Sequence, residues 1–294
     1  MKFLFPFLLA ASVFSAPVAR AADPVLEVMP KVFERSEKQT EFLLKTIGGN
    51  PKFPRSLNPD GSLRLVNPDD WTSGFFPGVL WMLHEYTGSP EWKEKAMAST
   101  LKLESLRNFK GHHDVGFMLG CSYGNALRLA PEDSQRAVLR DGAAALATRY
   151  KPEVGLIRSW DYKPYIYPVI IDNLMNLELL SWSAKNGGDP KHLEIAISHA
   201  DKTLANHFRA DGSAYHVLDY NPKTNRLYAI HAGQGADPRT AWARGQSWAI
   251  YGYAMMFRET KKPEYLKRAA SVADFVMNHP NLPEDKIPYW DFGV

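Results

Sequence analysis

The sequence of 294 residues contains one cysteine, Cys121, which excludes an intramolecular disulfide and any zinc site built from several cysteines. It also lacks an excess of charge, because 35 lysine and arginine residues are balanced by 32 acidic ones and the formal net charge is +3. Duplex DNA requires a concentrated basic face, so we expect no nucleic-acid partner. Strand-like alternation is scarce, and no apolar run beyond the N-terminus is long enough to span a bilayer.

Aromatic residues, by contrast, are plentiful. They make up 12% of the chain and include eight tryptophans. Hydrophobic residues at 45% and charged residues at 23% are typical of a globular protein and exclude general disorder. Flat rings in a cleft suit sugars or nucleobases.

The N-terminus predicts export. Residues 1–21 read as a signal peptide, in which Lys2 precedes the apolar stretch Phe3–Val18 and Ala19-Arg20-Ala21 offers small residues for cleavage. We therefore expect a periplasmic or secreted protein with no membrane attachment after cleavage. Residues 22–294 are expected to form one catalytic domain.

The mature chain predicts an all-α fold, because apolar positions recur with helical spacing in about nine segments. Apart from the first segment, at 29–47, two kinds of helix alternate. Those near 72–87, 116–129, 172–185 and 243–259 are apolar on nearly all sides, and those near 92–106, 132–149, 189–206 and 262–278 are charged on one face. Buried helices alternating with amphipathic ones predict an (α/α)6 barrel, a toroid of six helical hairpins. Since that barrel has twelve helices, we expect its last C-terminal helices to be missing from this chain. A short hairpin is predicted within 212–233.

One motif raises an alternative. Gly120-Cys121-Ser122-Tyr123-Gly124 matches the nucleophile elbow of serine esterases, and Val115–Leu119 before it could form the required strand. The elbow needs a parallel sheet, for which the chain offers few strands. We therefore favour a buried helix whose small residues permit close packing.

His112-His113-Asp114 resembles a metal-ligand cluster. Adjacent residues on a turn or helix point in different directions, and no matching distal ligand pair is visible. We expect no metal and no organic cofactor.

Two aspartates are stronger candidates. Asp114 and Asp172 each stand at the start of a predicted buried helix. Helix capping is the simple explanation for such residues, yet it fits Asp172 poorly because apolar residues flank it on both sides. A carboxyl buried beside a second carboxylate has a raised pKa, and the pair can hold one proton near neutral pH, as general acid/base catalysis requires.

The segment from Gln234 to Trp248 adds binding groups. Trp242 and Trp248 offer stacking faces, and Arg244 offers a cation for a carboxylate or sulfate. The predicted loops at the same rim also carry Trp71, Trp160 and His216. Aromatic rings, an arginine and two aspartates on one rim indicate a cleft for acidic sugars.

These residues resemble the motifs of the unsaturated glucuronyl hydrolases of glycoside hydrolase family 88. The resembling segments are Trp71-Thr-Ser-Gly-Phe-Phe-Pro-Gly, His113-Asp114-Val-Gly-Phe, Arg158-Ser-Trp160-Asp, Ile171-Asp172-Asn-Leu-Met and Trp242-Ala-Arg244-Gly-Gln-Ser-Trp248. The resemblance implies an (α/α)6 barrel that acts on fragments made by polysaccharide lyases, whose terminal uronic acid carries a C4=C5 double bond. It also implies hydration of that vinyl ether rather than direct attack at the anomeric carbon.

The resemblance implies roles for ten residues. Asp172 would donate the proton and activate water, and Asp114 would hold the sugar and tune Asp172. The polar groups of the sugar would be contacted by His113, His216, Gln234 and Arg244, and the subsites would be lined by Trp71, Trp160, Trp242 and Trp248. A monomer acting on glycosaminoglycan-type unsaturated oligosaccharides is expected. The alternatives are unsaturated galacturonyl, rhamnogalacturonyl or ulvan substrates, and a sugar-binding toroid without catalysis.

Overall fold

The computed structural model describes residues 24–294, so the predicted signal peptide at 1–21 lies outside the described residues. The described chain divides into two compact units, residues 24–46 and 47–294. The first unit consists of helix α1 (Pro24–Ile47), which begins five residues earlier than the periodicity predicts. Within α1, the hydroxyls of Ser36 and Thr46 donate to carbonyls one turn earlier, at Val32 and Phe42.

The second unit is mainly helical. Its α-helices are α2 (Phe75–Thr87), α3 (Pro90–Leu101), α4 (Val115–Leu119), α5 (Asn125–Leu129), α6 (Asp133–Ala147), α7 (Asn173–Lys185), α8 (Lys191–Asn206), α9 (Ala243–Thr260) and α10 (Pro263–Asn278). A 3-10 helix covers Glu104–Asn108. The sequence predicts one continuous helix over 116–129. In the structure, a π-helical turn at Gly120–Gly124 separates α4 from α5.

The π-helical turn decides the esterase alternative. Val115–Leu119 is helical rather than extended, so the strand that a nucleophile elbow requires is not there. The Ser122 hydroxyl donates to the Met118 carbonyl, 2.6 Å away, and is fully buried. Ser122 is therefore a helical packing residue, as the sequence favoured.

Short strands carry the loops at the starts of the helices. Two small hairpins pair β1 (Phe53–Leu57) with β2 (Leu63–Val66), and β3 (Tyr150–Lys151) with β4 (Leu156–Ile157). A three-stranded antiparallel sheet has the order β5 (Pro168–Ile170), β6 (Val217–Asn221) and β7 (Arg226–His231). The hairpin predicted within 212–233 is confirmed as β6 and β7. Strand β5 leads directly into α7 and pairs with β6. The residues just before α7 therefore lie beside the residues just before β6.

The helices of the second unit form an inner and an outer set. The inner set is α2, α4 with α5, α7 and α9, and each outer helix among α3, α6, α8 and α10 packs against the inner helix before it. Helix α7 is buried on most sides, with Leu174, Leu177 and Leu180 inaccessible to solvent. The predicted alternation of buried and amphipathic helices is confirmed. No helix in the described part of the chain is long and apolar enough to cross a membrane.

Inner helices α4 and α7 meet at a glycine. A Cβ atom on Gly116 would lie only 2.6 Å from the Cα of Asn176. No real side chain tolerates that distance, so glycine is needed for this close approach. The contact brings the start of α4 next to the start of α7, where the two candidate aspartates stand.

Candidate active site

A cleft of about 530 Å³ opens where α4 and α7 begin. Seven of the ten predicted residues line it: Trp71, His113, Asp114, Trp160, Asp172, His216 and Gln234. A larger cavity of about 680 Å³ lies along α4, α5, α7 and α9, and its walls are mostly apolar. We place the chemistry in the smaller cleft because it alone of the two contains both aspartates.

Asp172 is a buried carboxyl with an unusual protonation state. It stands at the N-cap position of α7, yet its side chain caps no backbone N–H, and 7% of its surface is exposed. Burial and the nearby Asp114 carboxylate together raise the pKa of Asp172 to about 8. Its Oδ1 atom has no hydrogen-bond partner among the described residues. At neutral pH this side chain is therefore a protonated acid facing the cleft.

Asp114 has the opposite character. It also occupies an N-cap position, that of α4, without capping the helix with its side chain. Burial alone would raise the pKa of Asp114, but the positive charge that His113 and His112 carry when protonated, together with hydrogen bonds from His112 and Asn176, outweighs burial and holds the pKa below its ordinary value. One carboxylic acid and one carboxylate thus share the cleft, the arrangement that separates acid and base roles.

Two neutral histidines accompany the aspartates. His113 Nε2 lies 3.4 Å from Asp114 Oδ1, and His216 Nε2 lies 3.6 Å from Asp172 Oδ1. Burial lowers the pKa of each histidine to about 4. His216 Nδ1 lies 2.8 Å from the Gln234 backbone N–H and 3.1 Å from the Ala232 carbonyl, two contacts that favour opposite tautomers of the neutral ring.

Ser159 connects the loops that carry these groups. Its carbonyl accepts the His113 N–H at 3.0 Å, and its hydroxyl accepts the Ile170 N–H at 3.0 Å. The next residue along, Ile171, donates its N–H to the His216 carbonyl. Backbone hydrogen bonds therefore fix His113, Asp172 and His216 relative to one another.

Arg244 supplies positive charge at the edge of the cleft. Its guanidinium lies 4.3 Å from the ring centroid of Trp242 and 5.8 Å from that of Trp71, and it donates to Gln234 Oε1 at 2.5 Å. Arg244 is exposed, and its charge acts on Asp172. A planar cation held on aromatic rings beside a protonated acid can bind the carboxylate of an acidic sugar.

Trp242, predicted to stack on a sugar, is packed against other side chains in this structure. Trp242 is only 2% exposed, and its ring packs against His216 with 4.3 Å between centroids, while Arg244 covers it on another side. The ring therefore contacts protein side chains on two sides, and its stacking role remains a prediction. The sequence marks Trp242 as aromatic but cannot tell which of its faces is covered.

Of the other three tryptophans, Trp71 and Trp160 line the cleft. Trp160 stacks on Tyr162 at 5.3 Å with an interplanar angle of 12°. Trp71 and Trp248 both contact Phe117, edge to face. The indole nitrogens of Trp160 and Trp248 are buried without hydrogen-bond partners among the described residues. Their binding roles remain predictions.

His112 and His113 approach Asp114 at different oxygens of its carboxylate. The turn before α4 brings His112 Nδ1 within 3.3 Å of Asp114 Oδ2, while His113 approaches the other carboxylate oxygen. His112 also contacts the Asp69 carbonyl through Nε2 at 2.9 Å. Across residues 24–294, no group of three histidine, cysteine or acidic residues is placed to hold a metal ion.

The structure adds residues to the predicted set. Arg55 and Asp70 form an ion pair at the cleft wall, and Tyr162 and Tyr165 extend the wall beside Trp160. The pairing of Arg55 with Asp70 has no sequence signal because the partners lie on separate segments. Asn176, by contrast, does have a sequence signal, because it is a polar residue on the buried face of a leucine-rich helix. A fully buried amide must find hydrogen-bond partners.

Comparison with known proteins finds similar sequences and structures, although no family model matches the chain. The unsaturated glucuronyl hydrolase of Formosa agariphila is 42% identical over 268 residues, which cover 90% of this chain and 67% of the relative. The unsaturated chondroitin disaccharide hydrolase of Streptococcus pyogenes serotype M1 is 32% identical over a segment that covers 81% of this chain and 61% of the relative. A crystal structure of an unsaturated glucuronyl hydrolase specific for heparin superposes with a TM-score of 0.87 at 43% identity, covering 91% of this chain and 72% of that one.

These relatives are longer than this chain. The chain spans 61–67% of the length of the curated relatives it matches. The matched part nevertheless contains both aspartates, the two neutral histidines and Arg244, since it covers nine-tenths of the chain in the most extensive of these alignments.

Proposed function

The chain belongs to the unsaturated glucuronyl hydrolase family, and from this premise we propose that it hydrolyses unsaturated oligosaccharides made by polysaccharide lyases. The product is the unsaturated uronic acid, released from the non-reducing end. One observation carries the proposal: the cleft holds a protonated Asp172, with a pKa of about 8, beside the Asp114 carboxylate. Such a pair can give a proton and later recover one near neutral pH.

The first step is protonation of the double bond. The ring oxygen of the unsaturated sugar pushes electrons into C4=C5, and C4 takes the proton of Asp172. Positive charge then develops on C5 and the ring oxygen. Asp172 leaves this step as a carboxylate beside Asp114, and a nearby negative pair stabilises a developing cation.

The second step is addition of water. The water oxygen bonds to C5 and its proton passes to the Asp172 carboxylate, which restores the starting acid. The resulting hemiketal opens by breaking the bond between C5 and the ring oxygen, leaving a ketone at C5 and a hemiacetal at C1. The hemiacetal collapses to an aldehyde and expels the remaining sugar as an alcohol. Protons and oxygen atoms balance, because one water is consumed for each glycosidic bond broken.

Binding groups surround this pair. Arg244 is proposed to hold the uronate carboxylate, and Gln234, which accepts a hydrogen bond from Arg244, keeps the guanidinium in place. His113 and His216, both neutral, are proposed to donate Nε2–H to ring hydroxyls or to the aspartates. Trp71 and Trp160 are proposed to form the aromatic walls.

The proposed substrates are glycosaminoglycan fragments. The relatives include a chondroitin disaccharide hydrolase and a heparin-specific hydrolase, the latter at 43% identity. We therefore rank unsaturated heparin and chondroitin disaccharides first. A cleft of about 530 Å³ has room for one or two sugar rings, which fits a disaccharide.

The test follows the ultraviolet absorbance of the conjugated double bond with unsaturated heparin, chondroitin and hyaluronan disaccharides. Loss of absorbance with the unsubstituted chain and none with Asp172→Asn is expected. Asp189→Asn, the same change at an exposed position outside the cleft, is the matched control and should keep full turnover. Turnover by the Asp172→Asn variant would refute the acid assignment, and disaccharide binding without turnover by the unsubstituted chain would favour a sugar-binding toroid.

We also propose that residues 1–21 direct export and that the mature protein acts as a monomer. The support for export is the charge and hydropathy pattern of the N-terminus. N-terminal sequencing of the protein from a periplasmic or culture-medium fraction should begin at Ala22, and an uncleaved cytoplasmic protein would overturn the export proposal. Light scattering during gel filtration should give the mass of one chain.

A further inference from the structure

Asp114 stands at a helix cap that another residue fills. In a capped helix, the N-cap aspartate accepts the N–H of the second or third helical residue. Here the third residue of α4, Phe117, instead donates its N–H to Asn176 Oδ1, 3.0 Å away on α7. Asn176 is fully buried and lies one helical turn after Asp172. The side chain that caps α4 therefore comes from α7, and the Asp114 carboxylate forms no capping hydrogen bond.

The other end of the same amide faces a histidine. Asn176 Nδ2 lies 3.3 Å from His113 Nδ1. Because Oδ1 already accepts the Phe117 N–H, the orientation of the amide is fixed and its NH2 group must face the ring. His113 Nδ1 then accepts, so the neutral imidazole carries its proton on Nε2. That nitrogen lies 3.4 Å from Asp114 Oδ1.

Packing holds Asn176 at this point. Gly116 approaches so closely that a Cβ there would lie 2.7 Å from Asn176 Oδ1. An apolar residue of similar size at 176 would fill the space but leave two buried groups unpaired, the Phe117 N–H and His113 Nδ1. Buried unpaired polar groups are costly, so this position selects a side chain with both an acceptor and a donor.

We propose that Asn176 is a positioning residue for the hydrolysis: by capping α4 in place of Asp114 and holding His113 as the Nε2–H tautomer, it keeps the Asp114 carboxylate free to face the cleft. The catalytic part of this inference rests on the proposed function, whereas the tautomer does not. The second histidine differs, because His216 Nδ1 contacts both the Gln234 N–H and the Ala232 carbonyl. Asp114 thus has a facing Nε2–H, on His113, whose proton is fixed by a donor on the far side of the ring.

The experiment uses the full chain labelled with 15N-histidine. Long-range 1H–15N spectra report which imidazole nitrogen carries the proton, and loss of one signal set in His113→Gln assigns His113. In the unsubstituted chain, His113 is expected to be protonated on Nε2 and unprotonated on Nδ1. Asn176→Asp keeps an acceptor for the Phe117 N–H but removes the donor, so the His113 proton should move to Nδ1 or the ring should become doubly protonated.

Turnover is measured on the same variants. Asn176→Asp should lower kcat about 100-fold, the usual cost of displacing a catalytic group by about 1 Å, with KM little changed. The matched control is Asn186→Asp at the C-cap of α7, whose amide donates only to the Trp182 carbonyl. Asn186→Asp should leave both the His113 tautomer and kcat unchanged.

The outcomes separate the two hypotheses. An Nδ1–H tautomer in the unsubstituted chain overturns the inference, even if Asn176→Asp does not fold. A reversed tautomer with undiminished kcat in Asn176→Asp also overturns the positioning role. If the unsubstituted chain shows the expected tautomer but hydrolyses none of the unsaturated disaccharides, the proposed function fails while the capping and tautomer assignment stands.

Discussion

Replacing Asp172 by asparagine should abolish turnover and yet stabilise the folded chain at neutral pH. The native pKa of Asp172 is about 8, whereas an unfolded chain has the ordinary value of 3.8. Between these two values the native state binds a proton that the unfolded state does not, so stability falls as pH rises through this window. The penalty is absent below pH 3.8 and is present in full above about pH 8. Asparagine cannot ionise and so does not carry it.

The magnitude follows from the two pKa values. Each pKa unit between native and unfolded states corresponds to about 1.36 kcal/mol, so at pH 7 the buried Asp172 costs the native state about 4 kcal/mol. An asparagine has nearly the same shape and, like the protonated acid, has one acceptor and a donor without charge. At about 2–4 °C per kcal/mol for a domain of this size, the melting temperature should rise by about 10 °C.

The assay is urea unfolding of both chains from pH 4 to pH 9. The gain from Asp172→Asn should be near zero at pH 4, grow with pH and level off above pH 8. Asp114→Asn is the matched control of opposite sign. The pKa of Asp114 is lowered in the native state, so its carboxylate contributes stability above the unfolded pKa of 3.8, and the substitution should destabilise the chain at pH 7. Equal effects of Asp172→Asn at pH 4 and pH 8 would refute the reasoning.

Other predictions follow from the same geometry. Turnover of an unsaturated disaccharide should fall as pH rises above about 8, because Asp172 then lacks the proton it must donate; a constant rate to pH 10 would exclude it as the acid. Arg244→Lys should raise KM about tenfold, with a smaller change in kcat, since lysine loses the planar contact with a carboxylate. Gly116→Ala should destabilise the chain by at least about 2 kcal/mol in urea unfolding, because the new Cβ would lie 2.6 Å from a backbone atom of α7. Gly120→Ala is the control: nothing lies within 4 Å of its Cβ, so this substitution should stabilise the chain by up to about 1 kcal/mol. Ser122→Ala should leave disaccharide turnover unchanged, and a loss of activity would revive the esterase alternative.

Helices and their burial were predictable because periodicity reports which faces meet the core. The segment 172–185 is the clearest case, since apolar residues on nearly all sides predict an inner helix, and α7 occupies that place. The π-helical turn at Gly120–Gly124 was not predictable. It adds one residue to a helical turn, and this changes hydrogen bonding along the backbone without changing the hydrophobic pattern.

The membership of the cleft was largely predictable, but its contacts were not. Seven of ten predicted residues line the cleft because polar and aromatic residues collect at the starts of inner helices. The burial of Trp242 and the convergence of His112 on Asp114 depend on loop geometry that no local pattern encodes. The same holds for Arg55 with Asp70, whose contact joins segments 15 residues apart.

The opposite protonation states of the two aspartates nonetheless follow from the residues around them. Asp114 follows two histidines and ends with N–H donors around its carboxylate, whereas Asp172 follows Ile170 and Ile171, both buried, and its Oδ1 has no partner among the described residues. Donors stabilise a carboxylate, and apolar surroundings stabilise a neutral acid. Because Gly116 lets α4 and α7 approach closely, the charge on one aspartate also raises the pKa of the other. The apolar neighbours of Asp172 in the sequence therefore favour a neutral acid there, whereas the donors around Asp114 depend on the fold of the loop, and helix packing brings the two carboxyls together.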